Sequence, residues 1–179
     1  DFFDKISFSP SNKFNLACNK KLIPVDESNT IYKAYYELNK RHPFKKNYEI
    51  NLLKNIPIGS GLGGGSSNAA CVLKTLNKIE NLNLNKLELI NIAKSIGSDV
   101  PFFINGKTQF VSGRGEILSS IEAPILDQLF FLLVLPSFSI STKWAYNKIK
   151  KHLHVPQDID KFPPLDSNVD WKFFNNDFE

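Results

Sequence analysis

The run Pro57-Ile58-Gly59-Ser60-Gly61-Leu62-Gly63-Gly64-Gly65-Ser66-Ser67-Asn68-Ala69-Ala70 leaves this chain few folds, because five of its nine glycines fall within seven residues and then yield to an apolar helical pattern. Glycines let consecutive backbone N–H groups turn toward one point. The helix that follows adds unpaired donors and the positive end of its dipole. The stretch from Pro57 to Ser67 therefore predicts an anion cradle, and a polyphosphate is the guest that suits it. A flexible connector is the plainer alternative. Yet each glycine costs on the order of 0.5 to 1 kcal/mol relative to alanine, which a connector has no reason to place beside a helix start.

Two familiar phosphate loops fit poorly. The pattern G-x-x-x-x-G-K-[ST] needs a lysine after its last glycine, whereas this loop continues Gly65-Ser66-Ser67. Gly59-x-Gly61-x-x-Gly64 satisfies the letters of the dinucleotide fingerprint, but that fingerprint needs a fully buried parallel strand ahead of it. Tyr48-Glu49-Ile50-Asn51-Leu52 instead alternates apolar and polar, as in a half-exposed strand. Glu80 closes a helix rather than a second strand, so a Rossmann fold becomes a minority reading.

The rest of the chain reads as mixed helix and strand. Ile6, Phe8, Phe14 and Leu16 predict two strands around a Ser9-Pro10-Ser11-Asn12 turn. Asp26 to Asn29 offer a helix cap, and Ile31, Ala34, Tyr35 and Leu38 follow at helical spacing before Pro43. After the glycine run, Ala69, Val72, Leu73, Leu76 and Ile79 share a helix face, with Ser66, Ser67 and Asn68 placed to cap it and Cys71 on its apolar side. Asn85 and Glu88 form a capping-box pattern, Leu89, Ile92, Ala93 and Ile96 continue it, and Gly97 is expected at positive φ as a terminator. A hairpin through Gly113-Arg114-Gly115, a buried strand over 129–135 and a helix capped by Thr142 complete the pattern.

Composition narrows the function classes. An apolar content of 42% supports a sizeable core, and 22 basic against 18 acidic groups give a net charge of +4, suited to anionic ligands. The lysines are scattered with no basic stripe, which argues against nucleic acid. No apolar run reaches membrane-spanning length, no secretory signal is visible, and the chain reads as soluble and cytoplasmic. Cys18 and Cys71 are expected to be inert thiols in a reducing compartment, and His42, His152 and His154 form no metal-ligand pattern. Asp99 reads either as the N-cap of a short turn entered through Val100-Pro101 or as a carboxylate at a reacting hydroxyl.

Pro57 to Ala70 resembles the second signature motif of the GHMP small-molecule kinases, and Gly97-Ser98-Asp99-Val100-Pro101-Phe102-Phe103, with Gly106 and Gly113 to Leu118, is similar to the segment bearing their catalytic aspartate. The resemblance implies an α+β, two-layer fold of the ribosomal protein S5 domain 2-like type. It divides the chain into an ATP-binding domain over 1–126 and the beginning of a second α/β domain over 127–179. It implies ATP as phosphoryl donor with Mg2+, a catalytic role for Asp99, and phosphate binding by residues 57–67. Asn29 and Lys54 would approach the adenine, although on sequence alone Asn29 reads as a cap and Lys54 as a solvated strand charge.

Among these kinases the Gly63-Gly64-Gly65-Ser66-Ser67-Asn68-Ala69-Ala70 version points to an acceptor that is a cytidine-linked sugar alcohol, 4-diphosphocytidyl-2-C-methyl-D-erythritol, phosphorylated on its 2-hydroxyl in non-mevalonate isoprenoid synthesis. Thr142 and Tyr146 would then lie at the cytidine end, Tyr146 by stacking, though a packing role for Tyr146 stands equally open and Lys143 and Trp144 depart from the usual residues. The family's partner lysine for the aspartate, in a segment ahead of the position of Asp1, and its third glycine motif have no match, so the chain is expected to be a middle portion, inactive by itself, and a monomer or weak homodimer when complete. Homoserine or mevalonate kinases, a non-catalytic nucleotide or sugar sensor on the same fold, and a nicotinamide-dependent oxidoreductase are the alternatives.

Overall fold

The computed structural model describes residues 2–113, 115, 117–135 and 142–149. The chain divides into two compact units, Asp1–Ser119 and Ser120–Glu179. In the first, strands β1 (Lys5–Ser11), β2 (Asn15–Cys18) and β3 (Asn47–Leu53) form a sheet in the order β1-β3-β2. β3 runs antiparallel to β1, with Phe8 opposite Ile50, and parallel to β2, with Leu16 opposite Ile50.

The first two strands are therefore not a hairpin. Pro10 and Ser11, expected in a turn, continue β1 opposite Tyr48 and Asn47. Pro10 is tolerated because β1 is an edge strand, where a missing backbone N–H breaks no ladder.

Alternation in β3 buries Tyr48, Ile50 and Leu52 toward the helices and leaves Glu49 and Asn51 half-exposed on the other face. Helix α1 (Thr30–Arg41) buries Ile31, Ala34, Tyr35 and Leu38, the stripe its sequence spacing requires. α2 (Gly64–Ile79) packs on α1 and on α4 (Val100–Asn105), and α3 (Lys86–Ala93) packs on α4. Leu73, Leu76, Val72 and Val100 sit at the centre of this single apolar core. The Asn85–Glu88 capping box is present, with both reciprocal bonds made.

One buried acid ties the layers together. Glu80, at the C-cap of α2, accepts hydrogen bonds from the Tyr48 hydroxyl and from the Lys45 N–H at 3.0 Å. Burial and the Glu80 carboxylate push the Tyr48 phenol well above its ordinary range, so it stays a donor at any physiological pH.

Several sequence expectations fail in identifiable ways. Ile79 is 40% exposed, and Cys71 points to solvent rather than into the apolar face of α2. Gly97 does not take a positive φ, because α3 ends earlier, at a Lys94 cap, and a tight turn follows it. The hairpin is formed, by β4 (Gln109–Ser112) and β5 (Ile117–Ser120).

In the second unit the apolar run 129–135 is no buried strand. It belongs to no strand, and all seven side chains are exposed, Phe130 and Leu132 almost fully. A seven-residue apolar run signals burial only if something covers it, and nothing among the described residues does. A short 3-10 turn (Pro124–Gln128) precedes it, and a helix, α5 (Thr142–Ile149), follows. No helix among the described residues is long and apolar enough to cross a membrane.

Candidate functional site

The glycine loop leaves the central strand β3 and enters α2, and its backbone conformation explains its composition. Gly59, Gly61 and Gly63 have φ of 68°, 72° and 66°, in the left-handed region that other residues avoid. Gly63 is the N-cap of α2 and supplies no side-chain bond to the first-turn amides. Ser66, Ser67 and Asn68, expected as caps, instead lie within the helix. Ser67 Oγ donates back to the Gly64 carbonyl at 2.9 Å, and Asn68 is buried. The opening N–H groups of α2 thus have no side-chain cap and stand at the positive end of a 16-residue helix.

A second helix start is drawn to the same place. Thr30, the first residue of α1, donates its hydroxyl to the Gly65 carbonyl at 2.8 Å, which ties the two N-termini together. A cleft of about 280 Å3 opens there, walled by residues 57–66, Ile23, Thr30 and Lys54. The first turn of α2, the first residue of α1, the Lys54 side chain and a run of glycine backbone line it. No carboxylate lines it. Such a space favours a polyanion.

Lys54 is not a solvated strand charge. It is 5% exposed, and its ammonium donates to Asp4 Oδ2 at 2.7 Å and to the Ile56 carbonyl at 2.6 Å. Asn29 is the N-cap of α1, as its side-chain oxygen accepts from the Ile31 N–H at 2.8 Å and its amide donates to the Pro24 carbonyl at 2.6 Å. Both residues spend their polar atoms on the protein; Lys54 lines the cleft, whereas Asn29 fixes the start of α1 behind it.

Asp99 stands at the N-cap position of the short α4 but makes no cap bond. The residue is exposed, and its carboxylate accepts one hydrogen bond, from the Ser98 hydroxyl at 3.0 Å. No cation is paired with it among the described residues. It lines a second cleft, of about 410 Å3, together with Gly61, Leu62, Gly63, Phe102, Phe103, Val111 and Gly115. Residues 61–63 line both clefts, so the loop is the shared wall between an anion-favouring space and a space holding a carboxylate that pairs with no cation among the described residues.

The spacing across that wall is set by contacts that the sequence did not announce. A Cβ on Gly63 would meet the Phe103 ring at 2.6 Å, so α4 presses its aromatic directly on the loop. Lys74, on α2, donates to the Phe103 carbonyl at 2.8 Å and holds the end of α4 in place. On the other side Gly115 approaches the Ser98 carbonyl so closely that a Cβ would lie 3.0 Å from it. Asp4 and Thr30 are the contributors that sequence reasoning missed, and neither carries a local signature, since each acts on a partner distant in the chain. Phe103 and Gly115 were read only as letters of the motif around Asp99, not as the contacts that space the loop.

Thr142 and Tyr146 fall in α5, in the second unit, and their side chains lie outside the described residues. Arg114 and Glu116 are outside them as well. Among the described residues no group of three or more His, Cys, Asp or Glu side chains could hold a metal ion.

Comparison with known proteins bears on the chain's family. Residues 29–107 match the family described as the GHMP kinases N terminal domain. The chain is 38% identical over 162 residues to 4-diphosphocytidyl-2-C-methyl-D-erythritol kinase of Clostridium perfringens, covering 87% of this chain and 56% of that protein. It is 38% identical over 176 residues to the enzyme of the same name from Thermodesulfovibrio yellowstonii, covering 98% of this chain and 59% of that one. The chain thus spans less than two thirds of these relatives. Among solved structures it resembles a 4-(cytidine 5'-diphospho)-2C-methyl-D-erythritol kinase, with a TM-score of 0.61 at 26% identity over 90% of this chain and 53% of the other. Homoserine kinase from Cytophaga hutchinsonii shares the fold, with a TM-score of 0.67 at 16% identity over 85% of this chain and 53% of the other. Residues 29–107 carry the N-terminal domain of the GHMP kinases, and the similarity to these kinases extends over most of the chain.

Proposed function

We propose that this chain is the nucleotide-binding part of an ATP-dependent kinase that phosphorylates the 2-hydroxyl of 4-diphosphocytidyl-2-C-methyl-D-erythritol. The observation that carries the reading is the shared wall: residues 61–63 border both the amide-rich cleft and the cleft that holds Asp99. A donor and an acceptor seated on either side of one loop meet over it. The choice of acceptor follows the relatives' names, since the two clefts alone suit any small alcohol.

Phosphoryl transfer asks the protein mainly for positioning and charge neutralisation. Backbone N–H groups within residues 58–66 and the two helix starts hold the triphosphate, with Asn29 and Lys54 fixing the adenine-side wall from behind. The acceptor hydroxyl lies against Asp99, which orients it and takes its proton as the oxygen attacks the γ-phosphorus and the bond to the β-phosphate oxygen breaks. ADP leaves with that electron pair. Ser98, by donating to Asp99, fixes which carboxylate oxygen faces the hydroxyl. Tyr146 and Thr142 serve the cytidine end.

Magnesium accompanies the nucleotide in this proposal. Among the described residues there is no cage of carboxylates for it, and no step above runs through it. Thus equipped, the complete enzyme works in the cytoplasm as a monomer or weak homodimer.

The test is ADP release by the full-length gene product across a panel of alcohols. Release with the cytidine-linked methylerythritol, and little with homoserine or mevalonate, is expected. Preference for either of the other two moves the protein to a different branch of the superfamily, and nucleotide binding without turnover on any of them makes it a sensor.

A further inference from the structure

Beneath the glycine loop lies a charge pair that the reaction above does not use. Asp4, just ahead of β1, has a side chain 2% exposed, and Lys54, just past β3, one 6% exposed. Asp4 accepts four hydrogen bonds. Its Oδ1 takes the N–H groups of Asn55 at 2.7 Å and Ile56 at 2.8 Å, and its Oδ2 takes Lys54 Nζ at 2.7 Å and Asn68 Nδ2 at 2.8 Å. These bonds fill the usual acceptor capacity of a carboxylate. One side chain therefore binds the exit of β3, the first residues leading into the loop, and helix α2.

The Lys54 ammonium sits directly under the start of that helix, where a Cβ on Gly64 would come within 2.9 Å of Nζ. Buried ion pairs add little net stability, so packing alone gives no reason for one here. What the pair supplies is position. Two arms of the cradle, the loop and the first turn of α2, are each fixed to the same carboxylate.

We propose that Asp4 is a positioning residue for the phosphate-binding loop: through Asn55, Ile56 and Lys54 it sets where the loop leaves the sheet, and through Asn68 where α2 stands beside it. It also keeps the Lys54 ammonium on the floor of the cleft. This rests on the phosphate-cradle reading proposed above, and it adds a residue 50 positions away in sequence from the lysine it holds.

The test is nucleotide affinity in the full-length gene product, by fluorescence titration with a methylanthraniloyl analogue of ATP, alongside steady-state ADP release. Asp4→Asn strands the Lys54 charge, so the charge-neutral double variant D4N/K54M is measured beside it, and each is read against a Lys54→Met reference that fixes what loss of the ammonium alone costs. The expected result in whichever variant folds is an analogue Kd raised about ten-fold and a KM for ATP raised in parallel, with kcat and the alcohol KM within about two-fold, the pattern of lost uniform binding. A folded variant that binds the analogue as wild type does overturns the proposal, however low its melting temperature. So does a fall in kcat at unchanged affinity. If neither variant folds, the pair is a folding determinant and the positioning role is overturned. A wild type that binds the analogue but phosphorylates no alcohol overturns only the reaction, whereas one that binds no nucleotide overturns both.

Discussion

Asp4 and Asp99 both stand beside the glycine loop, yet among the described residues the first accepts four hydrogen bonds in a side chain 2% exposed and the second accepts one, from Ser98, in an exposed residue. The same carboxylate group does opposite work in the two places. Below the loop every lone pair is committed, so the group cannot answer to a ligand and can only hold the frame. At the mouth most acceptor capacity is left open, which is the condition for meeting a substrate hydroxyl. The floor is built rigid so that the mouth can be left unsatisfied.

The largest effect is expected at the mouth. Asp99→Asn keeps the shape and the Ser98 contact but removes the base, and turnover in the full-length protein falls by about 10^3-fold, within the usual worth of a general base. Analogue affinity stays within about two-fold, because Asp99 does not line the amide-rich cleft. Stopped assays for ADP release, paired with the fluorescence titration, read both numbers. Unchanged turnover removes Asp99 from the chemistry and with it the contrast between the two acids.

Gly63→Ala comes next, because it attacks the contact that spaces floor and mouth. The new methyl meets the Phe103 ring at 2.6 Å and sits on a residue with φ of 66°. Overpacking and left-handed strain together cost about 2 to 4 kcal/mol in urea unfolding. Adding Phe103→Leu relieves the overpacking but not the backbone strain. The double variant therefore recovers roughly half of the loss if the ring is what the methyl strikes.

How far these features could be read in advance depended on how local they are. The buried stripe of α1, the capping box at Asn85 and the glycine-rich loop before α2 follow from neighbours within a few positions, and sequence reasoning found them. Lys54 was misread because alternation along β3 says which face a residue takes, while its burial comes from Asp4, across the sheet and 50 positions away. Cys71 and Ile79 were misplaced because a helix face facing the core on average still has edges that reach solvent. The run 129–135 shows the reverse error, since its composition demands a cover that only distant chain could provide. For the site, the glycine loop and Asp99 were legible as letters. That one loop walls both clefts was not.

Acid should separate the two carboxylates again. Burial by itself would raise the Asp4 carboxyl, but hydrogen bonds from Lys54, Ile56, Asn55 and Asn68 outweigh it and hold the group below its ordinary value of 3.8. A carboxyl depressed in the folded state stabilises the fold above its unfolded value, and that contribution is lost as pH falls through the folded one. Unfolding free energy of the wild type should therefore decline below pH 3.8, measured by denaturant melts down the pH scale. In D4N/K54M the decline is shallower. An equally steep decline in the double variant assigns the acid sensitivity to other carboxyls.

Gly61→Ala is the smallest and the most discriminating change. Gly61 has φ of 72°, close to that of Gly63, but a Cβ built on it meets nothing within 4 Å. Strain alone then remains, about 1 kcal/mol in urea unfolding, against the larger figure at Gly63. The open space around that methyl belongs to the clefts that residue 61 lines, so the cost should appear in ligand affinity as well, as a weaker analogue Kd. If Gly61→Ala instead destabilises the protein as much as Gly63→Ala does, backbone conformation rather than the Phe103 contact governs the loop, and the division into a packed floor and an open mouth fails at the glycines even if it holds for the acids.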